Sequence, residues 1–152
     1  IEGTVARGHL RENTALYAGL TADGELVTTL PIELDAATLA RGREQFDIFC
    51  SPCHDRAGNG GGMIVQRGFK RPESFHSLRL QQSPPGYFYQ VMTNGFGEMA
   101  SYAGQLEPHE RWGIVAYVRA LQLSQMVDAA ELSEFERFKL PAKSAGTGGG
   151  RP

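Results

Sequence analysis

The chain has 152 residues, 41% of them hydrophobic and 21% charged, with a net charge of −2 at pH 7. That length fits one domain with room for arms, and the near-neutral balance excludes a basic nucleic-acid surface. No apolar run approaches the roughly 20 residues that cross a membrane as a helix, while nineteen glycines and eight prolines predict long loops.

Residues 1–34 contain Gly3, Gly8, Gly19, Gly24 and Pro31 and show no helical period. Two basic and five acidic residues give the segment a charge of −3. Leu16-Tyr17 and Leu26-Val27 flank Thr21-Ala22-Asp23-Gly24, which predicts a turn between two short extended pieces. The segment is either a floppy leader or an arm that packs on a partner.

A helix is predicted from Ala36 to about Cys50, with Asp35 as its N-cap. Leu39, Gly42, Phe46 and Phe49 fall on one stripe at spacings of three and four. Glycine inside a helix costs about 1 kcal/mol relative to alanine, so Gly42 predicts a second backbone passing close by.

This helix runs into Cys50-Ser51-Pro52-Cys53-His54. C-x-x-C-H is the pattern of covalent haem attachment. Thiols one helical turn apart each add to a haem vinyl group, and the adjacent imidazole takes one axial position on the iron. Cys50 and Cys53 are the only cysteines in the chain, so both are used. A disulfide would not need the histidine. A structural zinc site wants about four ligands and usually a second C-x-x-C, and a thioredoxin-like site wants a βαβ context that the flanks do not show. One covalent haem is therefore expected, and it would fill the core of an otherwise loop-rich chain.

Residues 55–62 are too rich in glycine for regular helix and suit a loop against the haem edge. Met63-Ile64-Val65 is a short apolar piece. Arg67, Lys70, Arg71 and Arg79 form a loose basic group, either a solvated face or partners for the haem propionates. A second helix opens with Ser83 as cap and Pro84 in its first turn, shows Tyr87, Phe88, Val91 and Met92 on one face, and ends at Asn94-Gly95. After the loop 96–104, Glu107-Pro108 starts a helix to about Leu123 with Ile114, Tyr117, Val118 and Leu121 as its stripe. Beyond Ser124 the pattern weakens: Leu132, Phe135 and Phe138 would share one side of a short helix, and residues 144–152 read as disordered. The outline is all-α with long loops.

An electron carrier needs a sixth ligand from the opposite face of the ring. The candidates are Met63, Met92, Met99, Met126, His9, His76 and His109. Met63 lies nine residues beyond His54, on a loop expected to stay proximal. Met92 sits on a helix stripe and reads as core. Met126 follows the last helix, His109 falls in a helix first turn at the surface, and His9 is a surface or contact residue. Met99 lies in an irregular loop 45 residues beyond His54, long enough to cross to the distal side. Met99 is the expected ligand and His76 its main rival. His/Met ligation raises the reduction potential relative to two histidines, and with both positions filled the site exchanges single electrons rather than activating oxygen.

Residues 35–123 resemble the class I cytochrome c domain. The resemblance rests on Gly42 and Phe46 before the motif and on Ile114 and Tyr117, which in that family form the crossing of the first and last helices. It implies an all-α class I cytochrome c fold with long loops, flanked by extended N- and C-terminal arms at 1–34 and 124–152. Met99 falls on the family's distal methionine. Ala100 departs from the proline that many members carry there, which leaves the rigidity of the loop open. Pro72 is the counterpart of the proline whose carbonyl takes the proximal histidine's ring N–H.

A narrower resemblance covers TVARG at 4–8, FDIFCSPCH at 46–54, GMIVQRGF at 62–69, PESFH at 72–76 and RWGIVAYVRAL at 111–121. These are similar to the monohaem cytochrome c subunit of bacterial alternative complex III. It implies an electron-transfer subunit, not itself an enzyme, of a quinol-oxidising membrane complex. The implied partners are other subunits, including a multihaem cytochrome, and a periplasmic acceptor or terminal oxidase, with no nucleic acid. The implied location is the periplasmic side of the bacterial cytoplasmic membrane, often through a lipid-bearing N-terminal cysteine. This sequence has no such cysteine, so the anchor belongs to a segment upstream of Ile1 or is replaced by protein contacts. Beginning with Ile1 rather than methionine, the chain is expected to have lost an export signal. A freely diffusing periplasmic cytochrome c shuttle is the alternative, and a haem enzyme with an open sixth position is the third reading. The arms at both ends are expected to make few contacts with residues 35–123 and to lie on other subunits.

Overall fold

The computed structural model describes residues 4–5, 11–126 and 133. The expected helix around Leu132, Phe135 and Phe138, the tail at 144–152 and His9 lie outside the described residues. Among the described residues there are six α-helices and no strands: α1 (Thr14–Ala18), α2 (Ala36–Gln45), α3 (Ser51–His54), α4 (Leu78–Gln82), α5 (Pro85–Asn94) and α6 (Pro108–Ser124). None is long and apolar enough to cross a membrane.

Asp35 caps α2 by accepting the Thr38 N–H at 2.7 Å, as its position before an apolar stripe predicts. The helix does not stop near Cys50. It passes through a π-helical turn, Phe46–Cys50, and runs on as α3 to His54. The Ser51 N–H reaches back five residues to the Phe46 carbonyl, and the Ser51 hydroxyl donates to the Asp47 carbonyl at 2.8 Å. Pro52, in the first turn of α3, has no N–H to lose. The wide turn keeps the rod continuous while changing the phase of Cys50, Cys53 and His54 relative to Gly42 and Phe46.

The second backbone that Gly42 calls for is that of α6. A Cβ on Gly42 would lie 2.0 Å from the Gly113 carbonyl oxygen, and one on Gly113 would lie 3.5 Å from the Gly42 Cα. Phe46 meets Tyr117 edge-on at 5.3 Å beside this contact, and Ile114 is buried. α6 starts with a reciprocal capping box between Glu107 and Glu110. Trp112 and Tyr89 of α5 are both fully buried and stacked at 4.3 Å. α4, capped by Ser77, precedes the predicted second helix; Ser83 closes α4 rather than capping α5, which begins at Pro85 after Pro84 and ends at Gly95 with φ 79°.

Part of the N-terminal arm is not extended and not free of the domain. Asn13 caps the five-residue α1, and Thr21–Gly24 makes the predicted turn, closed by the Gly24 N–H on the Thr21 carbonyl at 3.1 Å. A helix this short leaves orphan C-terminal carbonyls. Those of Leu16 and Tyr17 accept from the Trp112 indole at 2.8 Å and the Tyr89 hydroxyl at 3.2 Å, and that of Ala18 accepts from Gln90. Val27 is buried, and Ala15, Leu16, Leu30 and Ile32 pack on the same core. The expectation of few contacts underrated the segment because its contacts are largely backbone oxygens meeting buried polar tips.

Gly42→Ala is expected to destabilise the protein by about 2 kcal/mol or more, since overpacking typically costs 1–3 kcal/mol and the clashing atom is backbone. Thermal or denaturant unfolding of the haem-loaded protein checks this. An unchanged midpoint would mean that the two helices do not touch through their backbones.

Candidate haem site

The two thiols sit at the end of the α2–α3 rod, half-buried and not joined to each other. Burial, and to a lesser extent Cys53, pushes the Cys50 thiol up to about 12, so it is protonated at neutral pH. The His54 ring lies face-on to Phe75, 4.5 Å between centroids and 12° between planes. Burial pushes His54 down to about 4 against the opposing charge of Asp55. At pH 7 it is a neutral imidazole, the form that binds a metal. Its Nδ1 is buried and has no hydrogen-bond partner. The Pro72 carbonyl, expected to take that ring N–H, instead faces Gly60, where a Cβ would come within 2.4 Å of it.

The loop after the motif folds back on the end of the rod. Asp55 adopts φ 57°, and its carboxylate accepts from the N–H groups of Ala57 at 2.6 Å, Asn59 at 3.1 Å and Gly61 at 3.1 Å. Partial burial raises its pKa, but these backbone donors outweigh it and hold the group below the usual carboxylate range. Gly60, Gly62 and Ile64 donate their N–H groups to the carbonyls of His54, Cys53 and Pro52 at 2.8, 3.1 and 3.0 Å. The orphan carbonyls of the helix end are thereby satisfied. A Cβ on Gly62 would lie 2.2 Å from the Pro52 oxygen, so only glycine allows this approach.

The loop carrying Met99 is closed by Phe96 and Met99, which exchange N–H to carbonyl bonds at 2.9 and 3.0 Å. Tyr102 ties it to the motif. Its N–H donates to the Met92 carbonyl at 2.9 Å, its hydroxyl reaches the Phe49 carbonyl at 3.4 Å, and its ring meets Phe49 edge-on at 6.2 Å. Burial raises the Tyr102 pKa. Met99 is half-buried against the core.

The other ligand candidates are disposed differently. Met63 and Met126 are 54% and 61% exposed, while Met92 is 6% exposed and part of the core. His109 is exposed in the first turn of α6. His76 has its Nε2 on the Ala57 carbonyl at 2.6 Å, which fixes it to the loop that follows His54. Of the basic group, Arg79 pairs with Glu73, Lys70 with Glu98 at 3.7 Å, and Arg71 donates to the Asn59 carbonyl at 3.0 Å. Sequence reasoning passed over Asp55, Phe75 and Tyr102. An aspartate ahead of a glycine run is a readable turn signal, but the two aromatics carry no local mark.

Two thiols and a neutral imidazole at this spacing fit a covalently attached haem. Among the described residues, no group of three or more His, Cys, Asp or Glu side chains is placed to hold a metal ion by itself. A protein-family model described as cytochrome c oxidase, cbb3-type, subunit III matches residues 37–118, more than half of the chain. The chain belongs to this family. It is a cytochrome c domain, an electron carrier with covalent haem c, and the all-α class I cytochrome c expectation holds.

No curated protein sequence matches the cytochrome. Among solved structures it is similar to a chain of the Kuenenia stuttgartiensis reducing HAO-like protein complex Kustc0457/Kustc0458. Identity is 26% and the TM-score 0.53, over 64% of this chain and 49% of that one. It is also similar to the KustC0563 c-type cytochrome, at 22% identity and a TM-score of 0.46, over 53% of this chain and 96% of that one. The cytochrome thus spans about half the length of the first of these chains.

Asp55→Asn is expected to lower the stability of the cytochrome at pH 7 by about 1 kcal/mol or more, because hydrogen bonds to a charged group are the stronger kind. The folded-state pKa is depressed below 3.8, so the stabilising difference is fully present above that value. It is lost as pH falls through the lower folded-state pKa. Urea midpoints of the two proteins should stay apart from pH 7 to 5 and converge in stronger acid.

Proposed function

We propose that Cys50 and Cys53 carry a single haem, that His54 and Met99 are its axial ligands, and that the cytochrome is the monohaem electron-transfer subunit of a quinol-oxidising respiratory complex of the alternative complex III type. The observation that carries the ligand assignment is the reach of Tyr102 to the Phe49 carbonyl, which draws the Met99 loop to the motif. The haem, when bound, supplies a one-electron iron couple. Burial keeps His54 neutral, Phe75 covers one face of its ring, and the Met99 thioether, a weak donor, favours the reduced metal.

The subunit reading places the cytochrome peripherally on the periplasmic side of the bacterial cytoplasmic membrane, beside a multihaem cytochrome, passing electrons to a periplasmic acceptor or terminal oxidase. It is supported by the family description, which is that of an oxidase subunit, and by a structural neighbour that belongs to a complex. Phe69 and Phe96, 54% and 67% exposed on the loops either side of the site, suit contact with a protein partner. A freely diffusing shuttle is the second reading. The observation in its favour is that residues 13–32 lie on their own domain, which removes much of the arm that would reach another subunit.

The intact mass under denaturing conditions should exceed that of the polypeptide by one haem, and Met99→Ala should abolish the thioether-to-iron charge-transfer band and lower the reduction potential. If the band survives in Met99→Ala but disappears in His76→Ala or Met63→Ala, the distal assignment is wrong.

When membranes are gently solubilised, the tagged full chain is expected to migrate with quinol-oxidising activity and a multihaem cytochrome. Recovery as a monomer in the periplasmic fraction would instead establish the shuttle.

A further inference from the structure

Phe75, the ring stacked on His54, is held through both its backbone N–H and its carbonyl. Its N–H donates to the Gly58 carbonyl at 2.9 Å. Its carbonyl accepts from the Nε2 of Gln122, in the last turns of α6, at 2.7 Å. Gln122 is 4% exposed. The direction of its amide is set by Arg119, whose guanidinium donates to the Gln122 Oε1 at 2.7 Å. Arginine can only donate, so the amide oxygen must face it, leaving the NH₂ for Phe75. Arg119 is fixed in turn by the Gln81 carbonyl at 3.4 Å, the Ser83 carbonyl and the face of Phe88 at 4.9 Å. Gly58 also lies against the Phe75 ring: a Cβ there would come within 2.8 Å of its Cδ2, so no larger residue fits beside the ring.

We propose that Gln122 is a positioning residue for the proximal imidazole and acts through Phe75. The inference rests on His54 being an axial ligand, as proposed above. A ring lying flat on the imidazole opposes rotation of that imidazole about its Cβ–Cγ bond. The plane of an axial imidazole fixes how the iron orbitals are oriented in the haem, and groups behind a ligand commonly set that plane. With the Pro72 carbonyl turned to Gly60, the stacked ring takes over part of that orienting task. Gln122 therefore ties the last helix to the orientation of the proximal ligand, 68 residues away along the chain.

The test uses the full-length, haem-loaded cytochrome in its oxidised form, read by the paramagnetically shifted haem methyl proton resonances and by the midpoint potential. Gln122→Met keeps the volume and removes both amide hydrogen bonds. Gln122→Glu keeps the acceptor for Arg119 and removes the donor to Phe75, and it serves if the methionine variant does not accumulate. Phe75→Leu removes the stacked ring and leaves Gln122 intact. Each is expected to change the order and spread of the methyl resonances and to shift the potential. The double variant Gln122→Met/Phe75→Leu is expected to match Phe75→Leu alone, because residues acting through one another are not additive. A purely structural Gln122 would lower the unfolding midpoint and leave the methyl pattern as in the wild type, which overturns the inference. Full additivity of the double variant overturns it too. If His54→Ala keeps the wild-type low-spin spectrum, the ligand reading fails. If that spectrum depends on His54 while the Gln122 variants keep the wild-type pattern, only the present inference fails.

Discussion

The structure depends on one contact in which no side chain takes part. Gly42 of α2 and Gly113 of α6 bring two helix backbones together so closely that a Cβ on Gly42 would meet the Gly113 oxygen at 2.0 Å. The haem-attachment motif and the side chains that place the N-terminal segment and Phe75 hang from one or other of these helices. The rod that begins with α2 ends in Cys50, Cys53 and His54. On α6, Trp112 lies one residue before the contact and takes the Leu16 carbonyl, while Arg119 and Gln122 lie beyond it and take the carbonyls of Ser83 and Phe75. One crossing thus sets the place of the motif, of the N-terminal segment and of the ring behind His54. The close approach also explains why a glycine, unfavourable in a helix by about 1 kcal/mol, occurs inside α2, whereas a Cβ on Gly113 would meet its neighbours only at an ordinary contact distance of 3.5 Å.

The loop of residues 55–62 solves a local problem that follows from where the rod stops. A helix that ends next to a cofactor site leaves carbonyls unpaired in a place from which water is excluded. Here three of them, on Pro52, Cys53 and His54, receive N–H groups from the returning chain. The return demands glycine where the backbones nearly touch, at Gly62. It also concentrates N–H groups in one small turn, and the ionised Asp55 carboxylate takes three of them. The same charge acts on His54 in the direction of protonation, but burial dominates and the imidazole stays neutral. A loop that looks like mere flexible filler in the sequence is therefore held by hydrogen bonds to the helix end and to one carboxylate.

What could be read from the sequence follows from which interactions are local. The motif, the Asp35 cap, the Gly42 contact and the Gly95 stop are all local or periodic, and each is where the residue pattern puts it. The Gly42 reading named a backbone neighbour but not Gly113, because a stripe gives the face of a helix and not the register of its partner. Three features were not legible. The π-helical turn at Phe46–Cys50 leaves the apolar spacing almost unchanged. The packing of residues 13–32 rests partly on carbonyls, which every sequence has, and partly on scattered apolar residues such as Val27 that show no helical period. The stacking of Phe75 on His54 joins a loop residue to the end of α3, and a lone phenylalanine three residues after a proline looks like any other core residue.

The Met99 loop shows how the chain manages without a proline after that methionine. In place of a locked φ, the turn from Phe96 to Met99 is closed by two reciprocal backbone bonds. Gly95 lets the returning strand come close: a Cβ there would lie 2.7 Å from the Met99 oxygen and 3.1 Å from the Ser101 nitrogen. The Ser101 hydroxyl then donates to the Thr93 carbonyl at 2.6 Å, and the Tyr102 N–H donates to the Met92 carbonyl at 2.9 Å, so both residues beyond Ala100 are pinned to the end of α5. The exposed Lys70–Glu98 pair at 3.7 Å adds little, since such surface pairs are typically worth about 0–1 kcal/mol. Rigidity here comes from backbone hydrogen bonds that form only if Gly95 has no side chain, and Ala100 is free to be a small residue. The same device, a glycine that admits a carbonyl, serves Gly42 at the helix crossing and Gly62 on the loop after His54. A chain with long loops is thus held around its site by close backbone contacts as much as by its core.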